Sequence, residues 1–419
     1  MNLVLVVAVI SYLCYERADH NRYGHYFAEV FQHVDRSYVE PVDEQALFEG
    51  AVEGMLKRLD EYSSFISRRE AGQFKDLLDG RFGGIGIEVS LDRASGRLTV
   101  LSPLIGSPAY AAGIRAGDKI VAIDGEGTDG FTLEDAVKRL RGPIGDRVTL
   151  RVRREGRAKP IDFVLTRAEI NVASVVGDVR KDGAWSYWLP GQNKIGYLRV
   201  NQFGKKTFEE LSAALDILSD QKARGVIIDL RNNPGGLLDS AKDCSELFLP
   251  EGKTIVTTRG RGGLVRETYR VDDAGDYQEL PLVVIVNHYT ASAAEIMAAA
   301  LQDYHRAAIV GVRTWGKGTV QDVIPVEGGR SVLKLTIATY WRPSMKNIHR
   351  FRDSKETDEW GVKPDPGLEV PQTDKQLEKW MEYRHKRDVV QPQSISTPPD
   401  LESDPQLGRA IEALKKRLG

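Results

Sequence analysis

Four short apolar runs constrain this chain more than anything else in it: "IGYLRV" from Ile195, "GVIIDLR" from Gly225, "PLVVIVN" from Pro281 and "AAIVG" from Ala307. Each is continuously apolar rather than alternating, the pattern of strands buried on both faces of a parallel sheet. Between them lie "TFEELSAALDILSD", "LLDSAKDCSELF" and "SAAEIMAAALQDY", which carry helical spacing. Crossover units around a largely parallel core are therefore predicted over residues 169–372.

A chain of 419 residues exceeds one ordinary core, and its texture changes along its length. Helical spacing dominates 19–79, in "YFAEVFQHVDRSYV" and "DEQALFEGAVEGMLKRL", with a break at Pro41; this predicts a small helical N-terminal domain. Over 80–168 the runs "RFGGIGIEVSL", "GRLTVLSPL" and "DRVTLRVRR" alternate as strands do around one amphipathic helix, "TLEDAVKRLRG". After the core, 373–419 reads as a helical C-terminal tail interrupted by the spacer "QPQSISTPPD". The fold class is thus α/β and β multidomain.

Charge and composition exclude several functions. With 58 basic against 60 acidic residues and no long basic tract, nucleic acid is not an expected partner. Two cysteines, Cys14 and Cys244, make neither a structural disulfide nor a zinc site expected. The opening "MNLVLVVAVISYLCY" is shorter than the roughly 20 residues of a membrane span. It also lacks a basic n-region and a cleavage site, so 1–15 is read as a signal anchor or uncleaved signal segment, with a buried structural helix as the alternative. The export reading places the rest of the chain in the cell envelope, outside the cytoplasmic membrane.

The chemistry turns on "GVRTWGKGTVQ", from Gly311 to Gln321. Gly311 and Gly316-Lys317 imitate a phosphate-binding loop, but Gly318 stands where a magnesium-holding hydroxyl is needed, and "TVQDVIPV" continues as a strand rather than a helix. A solvated lysine on a turn is the plain alternative. A catalytic lysine needs a group to serve, and twenty-five positions earlier Ser292 stands where a helix opens. With Glu295 it forms an S-x-x-E capping box, which requires no chemistry. The same geometry sets a hydroxyl beside free helix amides, where the Ala293 N–H can hold an oxyanion. His288 and His305 are the nearest imidazoles, and neither has a recognisable orienting carboxylate. Lys317 can take their place as base if burial lowers its pKa by roughly three units, about 4 kcal/mol. Trp315 and the flanking glycines suit that burial, and Gln321 is placed to hold the amine. In "DLRNNPGG", Gly235 and Gly236 offer bare backbone at the carboxyl end of the sheet, where ligands of open α/β sheets bind.

Together these three segments resemble the C-terminal processing peptidases (tail-specific proteases), serine endopeptidases with a Ser–Lys dyad. The resemblance implies Ser292 as nucleophile, Lys317 as general base, Gln321 as its support, and Ala293 with Gly235 or Gly236 as oxyanion donors. It extends through "LDEYSSFIS", "ATYWRPSMKNI", "GVKPD" and "DPQLGRAIEAL". The module over 80–168 resembles the family's PDZ domain, with Phe82, Gly83, Gly84, Ile85, Gly86 and Ile87 as the loop that takes a C-terminal carboxylate. No cofactor and no metal is implied; the partners are polypeptide substrates held by their C-termini. Lys346-Asn347 departs from the family's usual Gly-Arg. Trp185, Tyr187 and Trp188 are read as lining a substrate channel or as core packing. Two other functions fit parts of the pattern: a catalytically dead PDZ scaffold, and an acyl-thioester enzyme on a related core. Apolar faces on the N-terminal and tail helices predict a homo-oligomer.

Overall fold

The computed structural model describes residues 22–72, 83–92, 96–170, 172–181, 184–192, 194–389 and 397–418. The signal segment expected at 1–15, and Phe82, lie outside them. The described chain divides into two compact units: the smaller runs to Ala71 and adds Asp322–Thr336, and the larger holds the rest.

In the smaller unit the helix Glu44–Leu56 opens at Asp43, whose carboxylate accepts the N–H groups of Gln45 and Ala46 at 3.0 and 3.1 Å. Phe48 meets Phe65 edge-on at 5.8 Å, joining this helix to the strand Ser64–Ile66, which pairs antiparallel with Val332–Lys334. The helix Arg22–Ser37 buries none of its residues and displays Tyr23, Tyr26, Phe27 and Val30 to solvent.

The larger unit contains the β module and the α/β core. In the module, strands Ile87–Leu91, Leu98–Pro103, Lys119–Ile123, Arg147–Arg153 and Ile161–Thr166 follow one another in an antiparallel sheet. Alternation does the work here: Val148, Leu150 and Val152 point inward while Arg147, Arg151 and Arg153 point out. Thr132 and Asp135 close a capping box on the helix Leu133–Leu140. The strand Ile87–Leu91 ends the sheet order, so among the described residues one of its edges has no strand partner in that sheet.

The core sheet runs in the order Val175–Val176, Ile195–Val200, Gly225–Asp229, Leu282–Val286, Ala307–Gly311. The last four strands are parallel, and the first is antiparallel to its neighbour. Leu198, Val226, Ile228, Val284 and Val286 face a core shared with the helices Thr207–Asp220, Leu238–Glu246 and Ala293–Asp303. The alternate residues Tyr197, Ile227, Val283, Ile285 and Val310 face Leu407, Ala410, Ile411 and Leu414 of the helix Pro405–Arg417. The tail thus supplies the layer that covers the sheet's second face, which is why these strands are apolar on both sides.

Beside that sheet, Thr254–Arg259 pairs antiparallel with Val265–Arg270 and with Thr339–Trp341. Trp185, Tyr187 and Trp188 are half-buried and pack on their neighbours. Arg180 lies 4.1 Å over the Trp185 ring, Tyr187 and Trp188 lean on the main core, and Trp188 Nε1 donates to Gln221 Oε1 at 2.8 Å.

Candidate active site

The fully buried strand Leu282–Val286 leads into a turn, and the helix Ala293–Asp303 starts after six intervening residues. Thr290 tightens the turn, accepting the Asn287 N–H at 3.0 Å and donating its hydroxyl to the Leu230 carbonyl at 2.8 Å. Ser292, half-buried, then adopts φ 58°, ψ −120°. For a residue with a Cβ this conformation costs about 1–3 kcal/mol and persists only where the surroundings hold it. It lifts the Ser292 side chain off the strand end and leaves Ala293 as the first helical residue, whose N–H has no partner within the helix.

Glu295 is what holds it. In a helix whose residues Ala293 to Leu301 are all buried, this carboxylate is fully buried and accepts four donors. Oε2 takes the Ser292 N–H at 2.8 Å and the Lys317 N–H at 2.9 Å; Oε1 takes the Gly316 N–H at 2.7 Å and the Thr314 hydroxyl at 2.5 Å. The backbones of Ser292 and Lys317 are therefore fastened to one side chain. Burial pushes the Glu295 carboxyl up to about 7, against the opposing pull of the Thr314 hydroxyl and of the Gly316, Ser292 and Lys317 amides. The sequence marked Glu295 only as a capping partner. Its signal was an acid set in the otherwise apolar run "AAEIMAAAL".

The lysine loop is gripped from its other side as well. The Gly318 carbonyl accepts the Tyr340 N–H at 2.7 Å and the Gly316 carbonyl accepts the Arg350 N–H at 2.8 Å. A Cβ at Gly318 would stand 2.2 Å from the His349 nitrogen, so only glycine admits this approach. Lys317 is half-buried; Thr319 and Gln321 follow at alternate positions, the spacing of one strand face, and Gln321 Nε2 donates to Thr319 Oγ1 at 2.7 Å. Trp315, expected to cover the lysine, is 46% exposed and lies with its ring 6.4 Å from that of His288. His288 itself is exposed and rests on Tyr289, and no hydrogen bond among the described residues links His288 or His305 to Ser292.

The loop after the strand Gly225–Asp229 closes the third side. Asn232, at φ 60°, gives its N–H to Asn287 Oδ1 at 3.0 Å and receives the Asn287 amide on its own Oδ1 at 2.8 Å. The Asn233 carbonyl accepts the Ala291 N–H at 2.9 Å, so this loop and the serine turn are bound together. Gly235, at φ 98°, lies so close that a Cβ would be 2.7 Å from the Ser292 Cβ and 2.9 Å from the Ala293 nitrogen. Its N–H is turned to Asn233 Oδ1 at 2.8 Å. Gly236, next along, bridges to Phe203.

In the β module, Gly83 and Gly84 pair with Glu169 and Ala168. Ile85 is buried, Gly86 at φ 71° accepts the Ser107 hydroxyl and the Leu104 N–H on its carbonyl, and Ile87 opens the edge strand. At the divergent hairpin, Lys346 reaches Glu359 at 3.3 Å, and Asn347 Oδ1 accepts the His349 N–H at 2.8 Å.

A strained serine between a buried parallel strand and a helix, walled by a glycine loop, is the layout of a serine hydrolase. Comparison with known proteins narrows the class. Residues 194–366 match peptidase family S41, 99–154 match a PDZ domain, and 16–69 match the N-terminal domain of the activating protease CtpB. The carboxy-terminal-processing protease of Bartonella bacilliformis is 38% identical over 409 residues, covering 94% of this chain and 88% of the relative. The carboxy-terminal processing protease CtpA of Bacillus subtilis is 33% identical over 344 residues, 82% of this chain and 68% of its own length. A solved structure of a putative S41 protease from Bacteroides fragilis shares the fold, with a TM-score of 0.52 at 18% identity over 91% of this chain and 93% of that one. The chain belongs to peptidase family S41, the carboxy-terminal-processing serine proteases, and carries the PDZ domain by which the family takes substrate C-termini.

Proposed function

We propose that Ser292 is the nucleophile and Lys317 the general base of this protease. Ser292 Oγ attacks the scissile carbonyl as its proton passes to the neutral Lys317 amine, which returns it to the leaving nitrogen; water then releases the acyl group by the same route in reverse. The Ala293 N–H holds one side of the oxyanion. With the Gly235 N–H committed to Asn233, the Gly236 N–H is the loop's candidate for the other, unless the Asn233 bond opens on substrate binding. Gln321, through its strand face, supports the lysine. The observation that carries this reading is the Glu295 carboxylate joining the Ser292 and Lys317 backbones at 2.8 and 2.9 Å.

The substrate enters by its C-terminus, its last residues adding as a strand beside Ile87–Leu91 and its carboxylate meeting the amides of the loop through Phe82 to Ile87. The test is to incubate wild type, Ser292→Ala and Lys317→Ala with proteins of differing C-termini and to map the cuts by mass spectrometry. Each variant is expected to lose about 1,000-fold or more in kcat, with C-terminal peptide binding unchanged. Proteolysis surviving in Ser292→Ala would overturn the assignment.

The apolar run at 1–15 supports a site of action in the cell envelope with an N-terminal anchor; no described helix is long and apolar enough to cross a membrane. The unburied apolar face of Arg22–Ser37 supports a homo-oligomer, and a monomeric mass by light scattering would count against it.

A further inference from the structure

Arg231 opens the glycine loop, and its side chain is only 1% exposed. A buried guanidinium must have its donors met or it will not stay buried. Asp229 meets two of the five: Arg231 Nε lies 3.0 Å from both carboxylate oxygens and Nη2 lies 2.6 Å from Oδ2. The rest are met from 173 and 175 residues away. Nη2 and Nη1 donate to the two oxygens of Asp404 at 2.8 and 2.7 Å, and Nη1 also reaches Gln406 Oε1 at 3.3 Å. Trp380 lies across the guanidinium at 4.5 Å and donates its Nε1–H to Asp404 Oδ2 at 2.9 Å. Asp404 stands beyond residue 366, where the match to the peptidase family ends.

The arginine is continuous with the loop it begins. Its own N–H is bound to Asp229 Oδ1 at 2.9 Å; the next residue is locked to Asn287, and the one after that holds both Ala291 and the Gly235 N–H. A change in where Arg231 sits passes along three residues to the wall beside Ser292. We propose that Asp404 is a positioning residue for catalysis: through Arg231, the C-terminal segment sets the geometry of the oxyanion loop. This rests on the assignment of Ser292 and its loop made above.

The experiment uses the full chain and a peptide substrate. Asp404→Ala removes the acceptor; Asp404→Asn keeps the shape and the oxygen that caps Leu407 at 3.0 Å but removes the charge. A loop displaced by an ångström is worth about 100-fold, so kcat of Asp404→Ala is expected to fall by about that factor with KM little changed, and Asp404→Asn to lie between. Added formate should recover part of the alanine variant's kcat. In an Arg231→Met background, Asp404→Ala should cost little more, because the two residues act as one. Wild-type kcat with a lowered Tm would reduce Asp404 to a helix cap and overturn the proposal, as would a raised KM at constant kcat. Should the alanine variant not fold, Asp404→Asn decides alone on the same readouts. Ser292→Ala runs alongside. Cleavage persisting there overturns the nucleophile and this inference with it, whereas an inactive Ser292→Ala beside fully active Asp404 variants overturns this inference only.

Discussion

Glu295 has four donors on one carboxylate, and two of them, the Thr314 hydroxyl and the Gly316 N–H, would otherwise be buried without that partner. Glu295→Gln places an NH2 group among those donors. It is expected to lower kcat by about 100-fold and stability by about 2 kcal/mol or more, measured by steady-state kinetics and calorimetry. The pH dependence follows from the carboxyl raised from its ordinary 4.5 to about 7. Between those values the folded protein keeps a proton the unfolded chain releases, so this group's contribution to stability is present below 4.5 and is lost as pH rises to about 7. Activity moves the other way, since a protonated carboxyl replaces one acceptor with a donor. An acid limb near pH 7 in kcat is expected, and its absence would mean that the clamp works equally well when protonated. Ser292 and Lys317 could be singled out as candidates because each lies in a short run of distinctive residues. The partners of Glu295 could not, because Thr314, Gly316 and Lys317 belong to a different loop.

The strand, turn and helix around Ser292 were legible too: the apolar run "VVIV", the break, and the alanine-rich helix follow in order. What the pattern could not state is how near the neighbouring glycine loop comes. Gly235→Ala tests that approach. Its methyl would meet Ser292 Cβ at 2.7 Å on a backbone at φ 98°, so the loop must retreat from Ser292. A loss of about 100-fold in kcat is expected. Because the loop leaves the carboxyl end of a central strand and adds no apolar side chain to the core beyond Leu230, the Tm should fall less than for a core truncation; a Tm loss of that size with normal kcat would show that the close approach serves folding instead. The glycines of the PDZ loop teach the converse. A Cβ at Gly83 would stand 2.2 Å from the Gly142 carbonyl oxygen, so that glycine is explained by a close backbone approach whether or not it also meets a carboxylate.

Across the whole chain, the last helix decides whether the core sheet is covered. Leu414 is fully buried against Gly225 at the start of a central strand. Leu414→Ala is expected to cost about 2–5 kcal/mol, read as a lowered Tm of the larger unit, while leaving KM unchanged. A Tm equal to wild type would mean that the sheet's second face can dispense with this packing. The parallel core, the alternating β module and the order of the three candidate-site segments were all written in local patterns, since strand burial and helix spacing repeat within a few residues. The reach of Glu295 to the Thr314–Lys317 loop, the closeness of the glycine loop to Ser292, and the pairing of Arg231 with Asp404 were not. Those contacts join groups that no local period relates, up to 173 residues apart. They exist only once burial has removed water as the alternative partner for each charge and each amide.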